Sequence, residues 1–159
     1  MRRLALLLLL TSACSSATPS TSAPPDLSPA ASIDLQARAV VASCFEAGCP
    51  GAPIYLLDTT DPDVFSAVVA MLGDEIRLIS AIEAQQLLNE ESRLRDGGMV
   101  VSLELPIERF DDDVVGVSVF RSGGSFDGLG KTYLYRWDGV GWIETTQQET
   151  GATVTTSVP

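Results

Sequence analysis

The sequence predicts an α+β domain, with helices packed on one face of a mainly antiparallel sheet that ends in a four-strand meander. Three observations carry this expectation. Apolar residues recur at helical spacing through the first half, as in Ile33, Ala37, Val40, Val41 and Cys44. The second half alternates with period two, as in Val101, Leu103, Leu105 and Ile107. Asp- and Gly-rich turns separate the later runs at the spacing of hairpins. A mixed first half followed by a run of strands is an α+β pattern.

The elements follow in order. Ser32 is placed to cap a first helix, which Gly48 and Pro50 end. Pro53 to Asp58 is a short apolar run and reads as a buried strand. Asp61-Pro62-Asp63 marks a second helix start, with Asp61 as N-cap, Pro62 in the first turn and Asp63 facing the positive dipole end. Val64, Phe65, Val68, Val69 and Leu72 form its apolar stripe up to Gly73. Glu75 to Ile79 reads as a short strand. Ala81 to Arg95 is rich in helix formers and is closed by Gly97-Gly98. The strand from Val101 to Ile107 contains Pro106, which lacks a donor and therefore belongs at an edge or a bulge. Val114 to Arg121, Lys131 to Trp137 and Trp142 to Gln147 complete the meander. Asp138-Gly139 supplies a hairpin turn between the two tryptophans. A last strand is expected from Thr153 to Val158.

The N-terminus reads as an address. Arg2 and Arg3 precede the apolar run Leu4 to Leu10, and Thr11-Ser12-Ala13 forms a small-residue exit. That run is too short to span a bilayer. Leu10-Thr11-Ser12-Ala13-Cys14 resembles the lipobox of bacterial lipoproteins, with Thr11 at the position usually held by leucine. The resemblance implies removal of residues 1–13, diacylglyceration of Cys14 and a lipid anchor in the cell membrane or outer membrane. The other reading of the same residues is an ordinary secretory signal cut after Ala13 or Ala17. Ser15 to Ala31 is almost entirely Ser, Thr, Ala and Pro, so it is expected to act as a disordered leash of roughly 20–25 Å. The globular domain is then expected over residues 32–159.

Charge and composition narrow the function. The chain has 159 residues, a net charge of -11 and no histidine. That acidity repels phosphate backbones, so nucleic acid is not expected as a partner. Without histidine, Ser-His-Asp and Cys-His catalysis and His-ligated metals are excluded. Hydrophobic residues make up 45% of the chain, enough for a buried core.

Few motifs carry chemistry. In an exported protein, Cys44 and Cys49 are expected to form a structural disulfide; their C-x4-C spacing does not match a redox C-x-x-C pair. Gly130-Lys131-Thr132 ends like a P-loop, but a strand follows it where a phosphate-binding helix is required. Asp111-Asp112-Asp113 reads as a solvated turn, with a weak calcium site as the alternative. Ser122 and Ser125 have no histidine partner. Tyr133, Tyr135 and Trp137 share one strand face. They either pack beneath the helices or line a ligand groove.

No catalytic residue, cofactor or metal ligand emerges. The expected function is a non-catalytic, membrane-tethered envelope domain that binds or accompanies another protein or a small ligand. The rivals are an envelope hydrolase working through carboxylates, a purely structural envelope role and a secreted protein without lipid.

Overall fold

A computed structural model describes residues 26–48, 52–73, 76–124 and 128–153. The address segment with Cys14, Cys49, Ser125 and the last expected strand beyond Thr153 lie outside the described residues. The described residues form a mixed sheet of six strands with helices, an α+β architecture.

Helix α1 spans Pro29–Glu46, four residues earlier at its start than the sequence suggests. Ser28, rather than Ser32, is the N-cap: its hydroxyl accepts from the Ala31 N–H, and Pro29 takes the first-turn position that needs no donor. Strand β1 (Ile54–Leu57) leads to α2 (Pro62–Leu72), where Asp61 accepts from the Asp63 N–H and Gly73 ends the helix at φ 90°. Strand β2 (Ile76–Ile79) returns parallel to β1.

Helix α3 covers only Ala81–Gln86, not the expected stretch to Arg95. A Ser80–Glu83 capping box starts it. Beyond it, Asn89 Oδ1 accepts from the N–H groups of Glu91 and Arg93, and Ser92 sits at φ 60°. These side-chain bonds offer the backbone an alternative to helix. The reversal brings Leu94 back beside Leu88 and buries it.

Strands β3 (Met99–Asp111), β4 (Val114–Ser122), β5 (Leu129–Trp137) and β6 (Trp142–Thr145) follow, and a turn of helix, α4 (Gln147–Thr150), closes the described chain. The sheet order is β2-β1-β3-β4-β5-β6; β1 pairs parallel with β2 and β3, and the later pairs are antiparallel. Pro106 falls within the register shift between Glu104 and Glu108, so the missing donor coincides with a bulge.

The main core joins Leu35, Val40 and Cys44 of α1 and Val64 and Val68 of α2 to Leu56, Val101, Val115, Val117 and Val119 of the sheet. A second cluster lies on the alternate sheet positions. There Tyr55 and Ile79 pack with Leu94, Ala84 and Leu88. Right-handed crossovers account for both clusters: β1 to β2 and β2 to β3 travel in opposite directions along the sheet, so equal handedness sends their connections to opposite faces. Gly98 belongs to this crowded region. A Cβ there would lie 2.6 Å from the Pro53 carbonyl oxygen and 2.9 Å from the Tyr55 ring.

Candidate functional site

β5 has a long partner on one side and a short one on the other. It pairs with β4 from Leu129 to Arg136, whereas β6 covers only Leu134 to Trp137. The cause lies in the residues after β6. Thr146 accepts from the Glu149 N–H through its hydroxyl, and the Glu149 carboxylate accepts from the Thr146 N–H. This capping box turns the chain into α4 instead of letting it continue beside β5.

The orientation of the β5 backbone follows from two bonds. The Trp137 N–H donates to the Asp113 carbonyl on the β4 side, and the Asp138 N–H donates to the Gly141 carbonyl in the β5–β6 turn. Successive strand residues present their backbone groups to alternate sides, and the β4–β5 register is unbroken. Odd-numbered residues of β5 therefore face β4, and even-numbered ones face the other side. There Leu134 meets Thr145 and Arg136 meets Ile143. Among the described residues, no strand pairs with Gly130 or Thr132 on that side. The space beside them is a cleft of about 530 Å³, lined by Lys131, Thr132, Tyr133, Glu144, Thr146 and Gln148 among others.

Helix α1 organises one side of this cleft. The Lys131 ammonium pairs with Glu46 and lies 4.7 Å from the centre of the Tyr133 ring. The Tyr133 hydroxyl donates to the Glu46 carboxylate at 3.2 Å. Burial pushes the Tyr133 phenol up to about 12; the Glu46 charge adds to this and a bond with Ser43 opposes it. The phenol therefore stays a neutral donor near neutral pH. The other side carries the Thr145 and Thr146 hydroxyls and the Gln147 and Gln148 side chains. The arrangement offers main-chain hydrogen bonding along a strand edge, with one cation and one buried phenol beside it.

Of the aromatic face expected from the sequence, only Tyr133 reaches the cleft. Tyr133 and Tyr135, 3% and 1% exposed, belong to the core beneath α1. The Arg38 guanidinium lies 4.8 Å over the Tyr135 ring, and burial raises that phenol as well. Trp137 is half-buried and meets Trp142 edge-on at 5.7 Å, with its Nε1 buried and without a hydrogen-bond partner. Cys44 is buried in the last turns of α1. The three aspartates occupy the β3–β4 turn. Asp113 reaches Arg136 at 3.7 Å, and the Asp112 carbonyl accepts from Arg109. Among the described residues, no group of three or more His, Cys, Asp or Glu side chains is placed to hold a metal ion. No described helix is long and apolar enough to cross a membrane.

In the sequence, Gly130 and Thr132 stand out only as a P-loop-like ending that a strand follows, and Gln148 does not stand out at all. A signal was present: Thr146-Gln147-Gln148-Glu149 is a capping-box pattern, and it interrupts the strand expected to run to Gln147. No family model, curated protein or solved structure matches the chain.

Proposed function

We propose that the chain is a lipid-anchored envelope protein whose domain is a non-catalytic binding module, taking an extended segment of a partner protein as an added strand on β5. The observation that carries the binding mode is the Gly130–Thr132 edge, open on its cleft side among the described residues. A peptide laid there gains main-chain hydrogen bonds from both residues, and its alternate side chains fall toward Tyr133 on one face and Thr132 on the other. Such recognition needs neither a nucleophile nor a cofactor.

The tether rests on the sequence: a charged start, an apolar run and Cys14 directly after small residues. Two acyl chains at about 0.8 kcal/mol per buried methylene hold a protein stably on a membrane. A Cys44–Cys49 bridge belongs to the same reading, because exported proteins fold in an oxidising compartment. In the finer architecture, α1 and α2 form the helical layer over one face, and β3 to β6 form the antiparallel meander that ends in the binding edge.

Two measurements test the proposal. Intact mass and membrane fractionation of the native protein should show acyl mass on Cys14; a mature chain without it that stays in solution refutes the anchor. A photo-cross-linking residue at Gln148 should give a protein adduct in intact envelopes. That adduct should be lost in Thr132→Pro, which removes the edge donor, and kept in Thr132→Val, which retains it. No adduct, or one indifferent to Thr132→Pro, refutes the binding edge.

A further inference from the structure

We infer that the cavity at the C-terminal end of α1 is a second binding site, which takes the carboxylate of a compact ligand on the Arg121 guanidinium. It shares no lining residue with the β5 cleft, so it stands or falls independently of the strand-accepting edge.

The placing of Arg121 follows from the pattern of β4. Val115, Val117 and Val119 alternate onto the face covered by α1, and Arg121 is the next residue in that series. Helix α1 ends at Glu46, and where a fourth apolar residue would need cover the strand carries a long cationic side chain instead. Arg121 Nη1 donates to the Ser43 carbonyl at 2.6 Å. Because α1 has no basic residue in its own last turn, Arg121 answers the negative end of the helix dipole. That end carries about half an elementary charge against a full one on the guanidinium, so a positive excess remains.

The protein does not neutralise that excess. Three arginines are half-buried among the described residues. Arg38 faces Asp34 at 3.5 Å and Arg136 faces Asp113 at 3.7 Å, whereas Arg121 forms no ion pair among the described residues. With 21 acidic side chains against 10 basic ones, carboxylates are ample, yet none is placed against this cation. Its Nε and Nη2 also lack an acceptor among the described residues, and unlike the Nε of Arg136 neither is a buried orphan. These two nitrogens form the fork with which a guanidinium grips a carboxylate.

Arg121 lines a cavity of about 300 Å³, whose other walls come from Ala47, Gly48, Ala52, Gly97 and Gly98 among others. No Asp, Glu or Lys lines it, so the arginine supplies its charge alone. One cation matches one carboxylate. A phosphate dianion would keep surplus charge in a chain of net charge -11. The volume lies at the low end for small-molecule sites, which suits a compact ligand, and the small wall residues leave room for its body.

An NMR titration of the full chain at constant ionic strength tests the inference, following the Arg121 Nε–H and the amides of Gly48, Gly97 and Gly98. Sodium acetate should shift these signals saturably, and sodium chloride should not. Arg121→Lys keeps the charge and a donor for Ser43 but loses the fork, so it should weaken acetate binding about tenfold. Ala52→Leu leaves Arg121 in place and narrows the cavity. It should weaken N-acetylglycine more than acetate, and it keeps the test open if the Arg121 variant does not fold.

N-acetylglycine also separates the sources of the carboxylate. Binding tenfold tighter than acetate assigns a peptide C-terminus, comparable binding assigns a free organic acid, and either upholds the site. No saturable shift with either compound overturns the inference and leaves Arg121 as a cap on α1. Shifts indifferent to both variants overturn it as well, and so does phosphate binding more tightly than acetate.

Discussion

The two ends of the sheet are built on different rules. At one end β1 and β2 are equally long and pair over their whole length, Ile54 with Ile76 through Leu57 with Ile79. Both of their faces are covered, by α1 and α2 on one side and by α3 with the following segment on the other. At the other end, β6 pairs with fewer than half of the residues of β5, and among the described residues the helical layer covers the Tyr133–Tyr135 face. Equal lengths leave no unpaired stretch between β1 and β2 themselves. The unequal pairing at the other end leaves Gly130 and Thr132 of β5 without a strand partner on that side among the described residues, and this is the stretch that the proposed function uses. The outer edge of β2 is four residues long and carries exposed Arg77, two features that discourage strand addition.

The largest effect should come from the closed end. Leu56 is fully buried between the helices and the sheet, so Leu56→Ala should cost about 2–5 kcal/mol in chemical denaturation. Ile143 in β6 is already 47% exposed, and Ile143→Ala should stay within about 0.5 kcal/mol. Equal losses at the two positions would erase the contrast between the ends.

Neighbouring residues of β5 sharpen it further. Lys131→Pro removes an N–H that serves the β4 ladder and should be the more costly of the two neighbouring changes. Thr132→Pro removes one that faces the cleft, so it should cost only about 1 kcal/mol, chiefly through the lost bond between Thr132 and Ser118. If both prolines destabilise equally, the assigned direction of the strand edge is wrong.

The smallest effect is a titration. The Tyr133 phenol is raised from 10.0 to about 12, so its neutral form is favoured in the folded state. The associated stability is full below about pH 10 and falls as pH rises from 10 toward 12. An alkaline unfolding series should show that decline, and Tyr133→Phe should make it shallower, with the buried Tyr135 phenol sustaining the remainder.

Much of the chain was legible from local pattern. The cap at Asp61, the alternation of Val101 to Ile107 and the Asp138-Gly139 turn all report geometry between near neighbours. The end of α3 was not, because the sequence after Gln86 still favours helix residue by residue. Burial of Leu94 against Tyr55 and Ile79, together with the bonds made by Asn89, outweighs that preference. The candidate site was half legible. Tyr133 stood out as an aromatic, but Thr132 and Gly130 matter through their backbone, which residue identity does not advertise.

The sequence alone determined that helices and strands lie in these regions and in this order, since near neighbours decide those states, but not where α1 begins or where α3 and β6 end. Strand order, the opposite faces taken by α2 and α3, and the stretch of β5 left unpaired among the described residues were decided only in the tertiary structure. They depend on residues far apart in the chain, such as Glu46 with Lys131 and Arg38 with Trp142. Such contacts leave no periodic trace, because loop closure and crossover handedness, not local preference, bring them together.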